Sequence, residues 1–348
     1  MTHGNALQLD PSMPTMNDVA RAAGVSVATV SRALAGSGAG VSPELRERVL
    51  AAVAELDYHP NHLPRNLRAK SSRTIGLVIS DIDNPFFTAI VRGAEDVAHR
   101  RGYTMVLANT DEDAEREELV LQTMAAERAA GVVVASTGLH SKGVKRLIST
   151  GIPVVALDRR IAGAHVDTVV VDNETAAYEA VRHLASLGHR RVAMVGGPGK
   201  VSAIREREAG YERAVRDHGL ARGLLRHADL REPGGRDATR ALFAETERPT
   251  AIFSVNNMTT IGVLHALRDL GLRAPDDVSV IGFDDIPTGD LLDPPLSVVR
   301  QPTYQLGARA AELLLRRVAE PDAPVQEVVL AASLVVRPST GPVPTPND

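Results

Sequence analysis

The apolar positions of this chain follow two rhythms, a short helical one near the start and a long strand-helix alternation behind it. Between Met16 and Arg32, Val19, Ala20 and Ala23 make one apolar stripe at helical spacing, and Val27, Val30 and Leu34 make a second. The stripes meet at Ala22-Ala23-Gly24-Val25-Ser26. Gly24 can end the first helix without a Cβ penalty, and Ser26 can N-cap the second. Two short helices meeting at such a joint predict a helix-turn-helix. Ser42 with Pro43 opens a third helix, whose stripe runs through Leu45, Val49, Ala52, Val53 and Leu56.

From Thr74 the pattern becomes that of a larger α/β body. Strands are predicted at Thr74–Ser80, Tyr103–Ala108, Gly131–Ser136, Pro153–Leu157 and Val169–Val171, with helices at Phe87–Gly102, Glu115–Arg128 and Lys142–Ser149 between them. A second series has strands at Arg191–Val195, Ala251–Val255 and Val278–Gly282, and helices at Glu174–Leu187, Ile204–His218, Asp237–Glu245 and Thr259–Leu270. Strands alternating with helices imply parallel sheets joined by right-handed crossovers, and two such series imply two similar lobes.

Composition narrows the class. At 348 residues, 44% of them hydrophobic and 24% charged, the chain suits two or three globular domains. It has no Cys, so disulfides and thiolate metal sites are excluded. The first fourteen residues have neither a basic run nor an apolar core, and no run approaches eighteen apolar residues, so a cytoplasmic protein with no membrane partner is expected. Net charge is −4, but residues 15–73 hold eight Lys and Arg against five Asp and Glu. That excess is mild, so nucleic-acid affinity would need two such heads and direct base contacts as well as phosphate attraction.

Enzymatic motifs are weak. Gly196-Gly197-Pro198-Gly199-Lys200 lacks the spacing and the Ser or Thr of a P-loop. Asp81-Ile82-Asp83-Asn84 begins like a calcium loop but has neither its Gly nor its closing Glu. His183 and His189, six apart, do not share a helix face, and Asp111-Glu112-Asp113 reads as a solvated loop opening a helix. No catalytic residue, metal or cofactor is expected.

The stretch from Thr15 to Lys70 resembles the DNA-binding head of the lactose/galactose repressor family. The matching residues are Asp18-Val19-Ala20, Ala23-Gly24-Val25-Ser26, Thr29-Val30-Ser31-Arg32, Val41-Ser42, Leu56-Asp57-Tyr58 and Pro60-Asn61. The resemblance implies that the second helix enters the major groove, with Val27, Ala28 and Arg32 at base edges. Arg32 can offer guanine a bidentate pair, while Ser26, Thr29 and Ser31 suit phosphate oxygens. It also implies that residues 60–72 are a hinge, with Asn61 in the DNA-binding set and Leu67 wedged into the minor groove. Ala35, the long loop after it and Pro64 depart from the family pattern.

The body is similar to the periplasmic sugar-binding-protein fold that this family uses as a sensor. The expected architecture is thus an all-α helix-turn-helix head on a two-lobed α/β body with parallel sheets. Residues 1–14 would be a disordered tail, 15–59 the head, 60–72 the hinge, 73–338 the sensor and 339–348 a second tail. Lobe 1 would take about 73–171 plus 303–331, and lobe 2 about 172–300 plus 332–338. The match to ribose-type members carries ligand-binding roles onto Asn84, Phe86, Phe87, Asp158, Arg159, Arg207, Asn256, Asp284 and Gln301. Carboxylates, guanidinium forks and amides can saturate sugar hydroxyls while phenyl faces cover C–H surfaces. Leu230 stands where an aromatic is usual, which leaves a nucleoside or another small metabolite open beside a sugar. The implied function is a homodimeric repressor of sugar-utilisation genes with a DNA operator and a small-molecule effector as partners. A sugar-binding receptor would share the body but not the head.

Overall fold

The computed structural model describes residues 14–34, 40–58, 72–138 and 142–343, and the chain divides into two compact units between residues 71 and 72. The first unit contains α1 (Met16–Ala23), α2 (Val27–Leu34) and α3 (Pro43–Glu55). Thr15 and Asp18 close a capping box at the start of α1, each side chain serving the other's backbone N–H. Gly24 then adopts φ +62°, and its N–H returns to the carbonyls of Ala20 and Arg21. Ser26 Oγ accepts from Thr29 N at 3.2 Å and Ser42 Oγ from Leu45 N at 3.3 Å, so both expected caps form. Val19, Ala20, Ala23, Val30, Ala33, Val49, Ala52 and Tyr58 make the small core. One stripe residue differs: Val27 is 40% exposed, because the short turn after Gly24 rolls the first turn of α2 outward. Ala33 fills the core in its place.

The second unit holds two six-stranded sheets. The first comprises β1 (Thr74–Ile79), β2 (Thr104–Asn109), β3 (Gly131–Val134), β4 (Val154–Leu157), β5 (Asp167–Val171) and β11 (Glu327–Leu330), ordered β11-β5-β4-β3-β1-β2. The second comprises β6 (Val192–Gly196), β7 (Leu225–His227), β8 (Ala251–Ser254), β9 (Ser279–Phe283), β10 (Ser297–Arg300) and β12 (Ser333–Val335), ordered β12-β10-β9-β8-β6-β7. All pairings are parallel except β10 with β12. The central strands are Val- and Ile-rich runs buried on both faces, as helix-covered parallel sheets require.

Helices α4 (Pro85–Arg100), α5 (Ala114–Ala126), α6 (Lys142–Ser149) and α11 (Thr303–Ala319) cover the first sheet. Helices α7 (Asn173–Ser186), α8 (Ser202–Asp217), α9 (Glu232–Ala244) and α10 (Asn257–Asp269) cover the second. The chain crosses between lobes after β5, after β10 and after β11. One boundary differs from the sequence reading: residues 339–341 are not tail. Ser339 Oγ donates to Val280 O at 2.8 Å and accepts from Ser297 N at 2.7 Å, while buried His189 lies 3.1 Å from Gly341 O.

Lobe 1 depends on one close crossing. Where α4 meets α11, a Cβ on Gly93 would fall onto Tyr304 O, and one on Gly307 onto Ile90 O. The two backbones touch through both glycines. Gly307→Val should therefore force the helices apart at a cost of about 3 kcal/mol or more. Calorimetry should show the body melting roughly 5–10 °C lower; an unchanged melting temperature would mean the crossing is slack.

Candidate functional site

Ligands of open α/β sheets gather beyond the carboxyl ends of the strands, and here both sheets point those ends into one cleft. Asn84 follows β1 and N-caps α4, its Oδ1 accepting from Phe86 N at 2.9 Å. Phe86 and Phe87 occupy the first turn of α4 with their rings edge to face. Asp158 and Arg159 follow β4, Asn256 follows β8, Asp284 follows β9 and Gln301 follows β10. Arg207 reaches in from α8. All nine residues line one narrow chamber, together with Val201, Ala203, Ile204 and Leu230.

Asp158 and Asp284 occupy equivalent places in the two lobes. Each donates its N–H at 2.9 Å to the neighbouring strand, Asp158 to Val169 O and Asp284 to Val299 O. Each then turns off with positive φ, +64° and +71°. That conformation costs a non-glycine residue roughly 1–2 kcal/mol and turns each chain abruptly off its strand.

The electrostatics are those of buried, partly matched charges. Arg159 is clamped by Glu112 at 2.5 and 2.8 Å, touches Asp158 at 3.3 Å, and donates to Ser80 Oγ and Ser136 O. Burial weakens the Arg159 guanidinium's hold on its proton, but Glu112 and Asp158 outweigh that and raise its pKa. Arg207 donates to Asn173 Oδ1 at 2.8 Å and Val255 O at 2.6 Å, and lies 3.6 Å over the Phe283 ring. Burial pulls its pKa down against Asp284 and Asp158. Burial pushes the Asp158 carboxyl up, against Arg159 and Arg207. It pushes Asp284 up to about 6, against Arg207 and the Gln301 amide 2.6 Å away.

Two residues act differently from the sequence reading. Glu112, which the sequence places in a solvated acidic loop, is the main partner of buried Arg159; only Asp113 of that run caps α5. Asn256 spends its side chain on local structure: Oδ1 caps α10 through Thr259 N, and Nδ2 donates to Leu230 O. Its neighbour Asn257, 1% exposed, reaches across the cleft and donates to Asn84 Oδ1 at 2.8 Å. Arg160 also bridges the lobes, through its N–H to Ser202 Oγ at 2.8 Å and its guanidinium to Glu206 at 2.6 Å. Asn257 Oδ1 and Gln301 Oε1 are buried acceptors with no protein donor among the described residues. Buried acceptors of this kind are costly unless something else donates to them.

In the head, Ser26, Val27, Ala28, Ser31 and Arg32 form an exposed face of α2, with Thr29 half-buried beside them. Ser26 and Thr29 share a hydroxyl hydrogen bond of 2.9 Å. Arg32 Nε donates to Ala28 O at 3.2 Å, which aims the guanidinium along the helix surface. Asn61, Leu67, Ala35 and Pro64 lie outside the described residues.

Residues 15–61 match the lacI family of bacterial regulatory proteins, and residues 181–340 match the periplasmic binding protein-like domain. A ribose operon repressor of Halalkalibacterium halodurans is 38% identical over 328 residues, spanning 94% of this chain and 97% of that protein. The chain belongs to the lacI family. Among solved structures, the lac repressor dimer bound to operator and the anti-inducer ONPF superposes with a TM-score of 0.83 at 28% identity, covering 94% of this chain and 99% of that one. A LacI family regulator from Enterococcus faecium with bound ribose gives 0.70 at 28% identity, covering 77% and 99%. The protein is therefore a metabolite-responsive DNA-binding repressor of this family and not an enzyme. Among the described residues, no helix is long and apolar enough to cross a membrane.

Proposed function

We propose that this lacI-family protein represses sugar-utilisation genes by binding a palindromic operator as a homodimer, and that a neutral sugar seated between the lobes of the body controls that binding. The observation that carries the reading is the convergence of all nine residues on one chamber containing a buried acceptor, Gln301 Oε1, that has no donor among the described residues. A sugar hydroxyl is such a donor, and it can accept at the same time from Arg207, whose Nε and Nη1 alone are engaged among the described residues. Relatives named ribose operon repressors, and the ribose-bound neighbour, support a sugar as the class of effector.

The chamber measures only about 30 Å³, room for roughly two waters. A sugar must therefore widen it, parting Asn257 from Asn84 or sliding one lobe on the other. A ligand that prefers one lobe separation shifts the population of dimers whose heads suit the operator. Gly93, Ala94, Val97 and Ala98 of α4 pack into the lobe's own core, so a dimer contact through this helix would use its exposed positions, Arg92 and His99 among them.

A gel-shift assay with the promoter beside the protein's own gene tests this reading. Retardation at moderate salt, altered by at least one of a panel of pentoses and hexoses, is the expected result. No retardation even at low salt would remove the repressor role.

A further inference from the structure

We propose that the effector is larger than one sugar ring, a neutral disaccharide whose second ring lies in a cavity adjoining the chamber; this rests on the sugar-sensing reading above. The chamber shares Asn84, Phe87, Arg159, Leu230 and Asn256 with a neighbouring cavity of about 230 Å³. That neighbour is the roomier of the two by far, and it belongs to the same cleft.

Leu230 stands where the two spaces join. Its side chain rests on Gly197, where any Cβ would collide with it, and Ile204 flanks the same spot. With Gly197 and Ile204 against it, a larger flat ring in its place would project into the passage. A branched four-carbon side chain leaves that passage open.

The far walls select the chemistry. Asp81, Glu112 and Asp229 face Lys200, Arg231 and Arg159, so the lining is balanced in charge and offers no net attraction to a phosphate. Asp81 Oδ1 accepts from Asp83 N at 3.0 Å and Asp229 Oδ1 from Arg231 N at 3.1 Å, which fixes both carboxylates. The Lys200 ammonium makes no hydrogen bond or ion pair among the described residues, and the residue is exposed at the rim. Carboxylates beside cationic donors match hydroxyls, which both give and accept. Phe87, the cavity's one aromatic, is buried and set edge to face against Phe86, so the lining holds no pair of rings between which a nucleobase could stack. A second sugar ring fits this lining better than a purine or pyrimidine does.

Isothermal titration of the full chain with ribose, arabinose, glucose, disaccharides containing these rings, and adenosine tests the proposal. At least one disaccharide should bind about tenfold or more tighter than either component sugar, the gain of one or two net hydrogen bonds. Leu230→Phe should erase that advantage. Lys200→Ala, an exposed change that leaves the chamber's own lining intact, should reduce it by about threefold to tenfold. Component sugars matching the best disaccharide, or adenosine surpassing it, would overturn the proposal while leaving a sugar sensor in place. If no saccharide of any size binds, the sugar-sensing reading itself falls.

Discussion

Asp284→Asn is expected to weaken the effector response by one to two orders of magnitude while making the protein more stable at neutral pH. The two effects share a cause. Asp284 is buried, and burial holds its carboxyl at about 6 although Arg207 and Gln301 pull it down; the ordinary value is 3.8. A raised carboxyl binds its proton more tightly in the folded state than in the unfolded one. Its stabilising contribution is therefore complete below pH 4 and is lost as pH rises through 6. The ionised form at pH 7 costs on the order of 3 kcal/mol, at 1.36 kcal/mol per pH unit. Asn, nearly the same shape and never charged, escapes that cost. In the proposed site the carboxylate is the acceptor for a sugar hydroxyl, and losing a charged acceptor costs about 1.5–3 kcal/mol of binding. Urea unfolding at pH 4, 5, 6 and 7 should show wild type falling behind the variant as pH rises, with the gap levelling above pH 6. The wild type's own affinity for effector should drop about tenfold per unit below pH 6, where Asp284 takes up its proton. Parallel stability curves for the two proteins would mean that burial does not raise the Asp284 carboxyl above its ordinary value, whereas a gap still widening at pH 7 would mean that it stays protonated in its buried place.

That trade explains which parts of the molecule were legible in the residues. The lobes could be read because Val132–Val134, Val154–Val155 and Val169–Val171 are buried on both faces and so lack polar interruptions. Turn chemistry was equally explicit at Gly24, whose positive φ ends α1 where a Cβ would be strained. Short edge elements carried little signal. β7 and β12 span three residues each, with half-exposed patterns that no periodicity can separate from loop. In the cleft, position after a strand was enough to gather nine side chains. It could not say which atoms were already spent. Asn256 and Asn257 are adjacent amides, and only the start of α10 decides that the first caps the helix while the second crosses to Asn84. Glu112 was hidden for a related reason. Between Asp111 and Asp113 it looks like solvated charge, yet φ values of +52° and +59° at Asp111 and Glu112 bend the loop, and Glu112 meets Arg159.

Arg32→Ala should collapse operator discrimination without unfolding the head. Arg32 is exposed on α2, outside the core of Val19, Val30, Ala33 and Val49, and Ala is the better helix former. Its Nε is occupied by Ala28 O, and its two terminal nitrogens, without a partner among the described residues, can pair with O6 and N7 of one guanine. Such a pair contributes about 1–3 kcal/mol of discrimination, and a dimer makes it twice. Operator affinity should therefore fall by roughly 30-fold to 10⁴-fold, with far smaller loss on a scrambled duplex. The salt dependence separates this role from plain charge neutralisation. Removing a residue that pairs with phosphate lowers the slope of log affinity against log salt by about one for each phosphate left unneutralised, whereas removing a base-reading residue leaves it nearly unchanged. Fluorescence anisotropy on operator and scrambled duplexes across a salt series measures both quantities. If affinity for the two duplexes falls together and the slope drops by about two for the dimer, Arg32 binds the backbone. Sequence would then have to be read by other side chains on the exposed face of α2, Val27 and Ala28 among them.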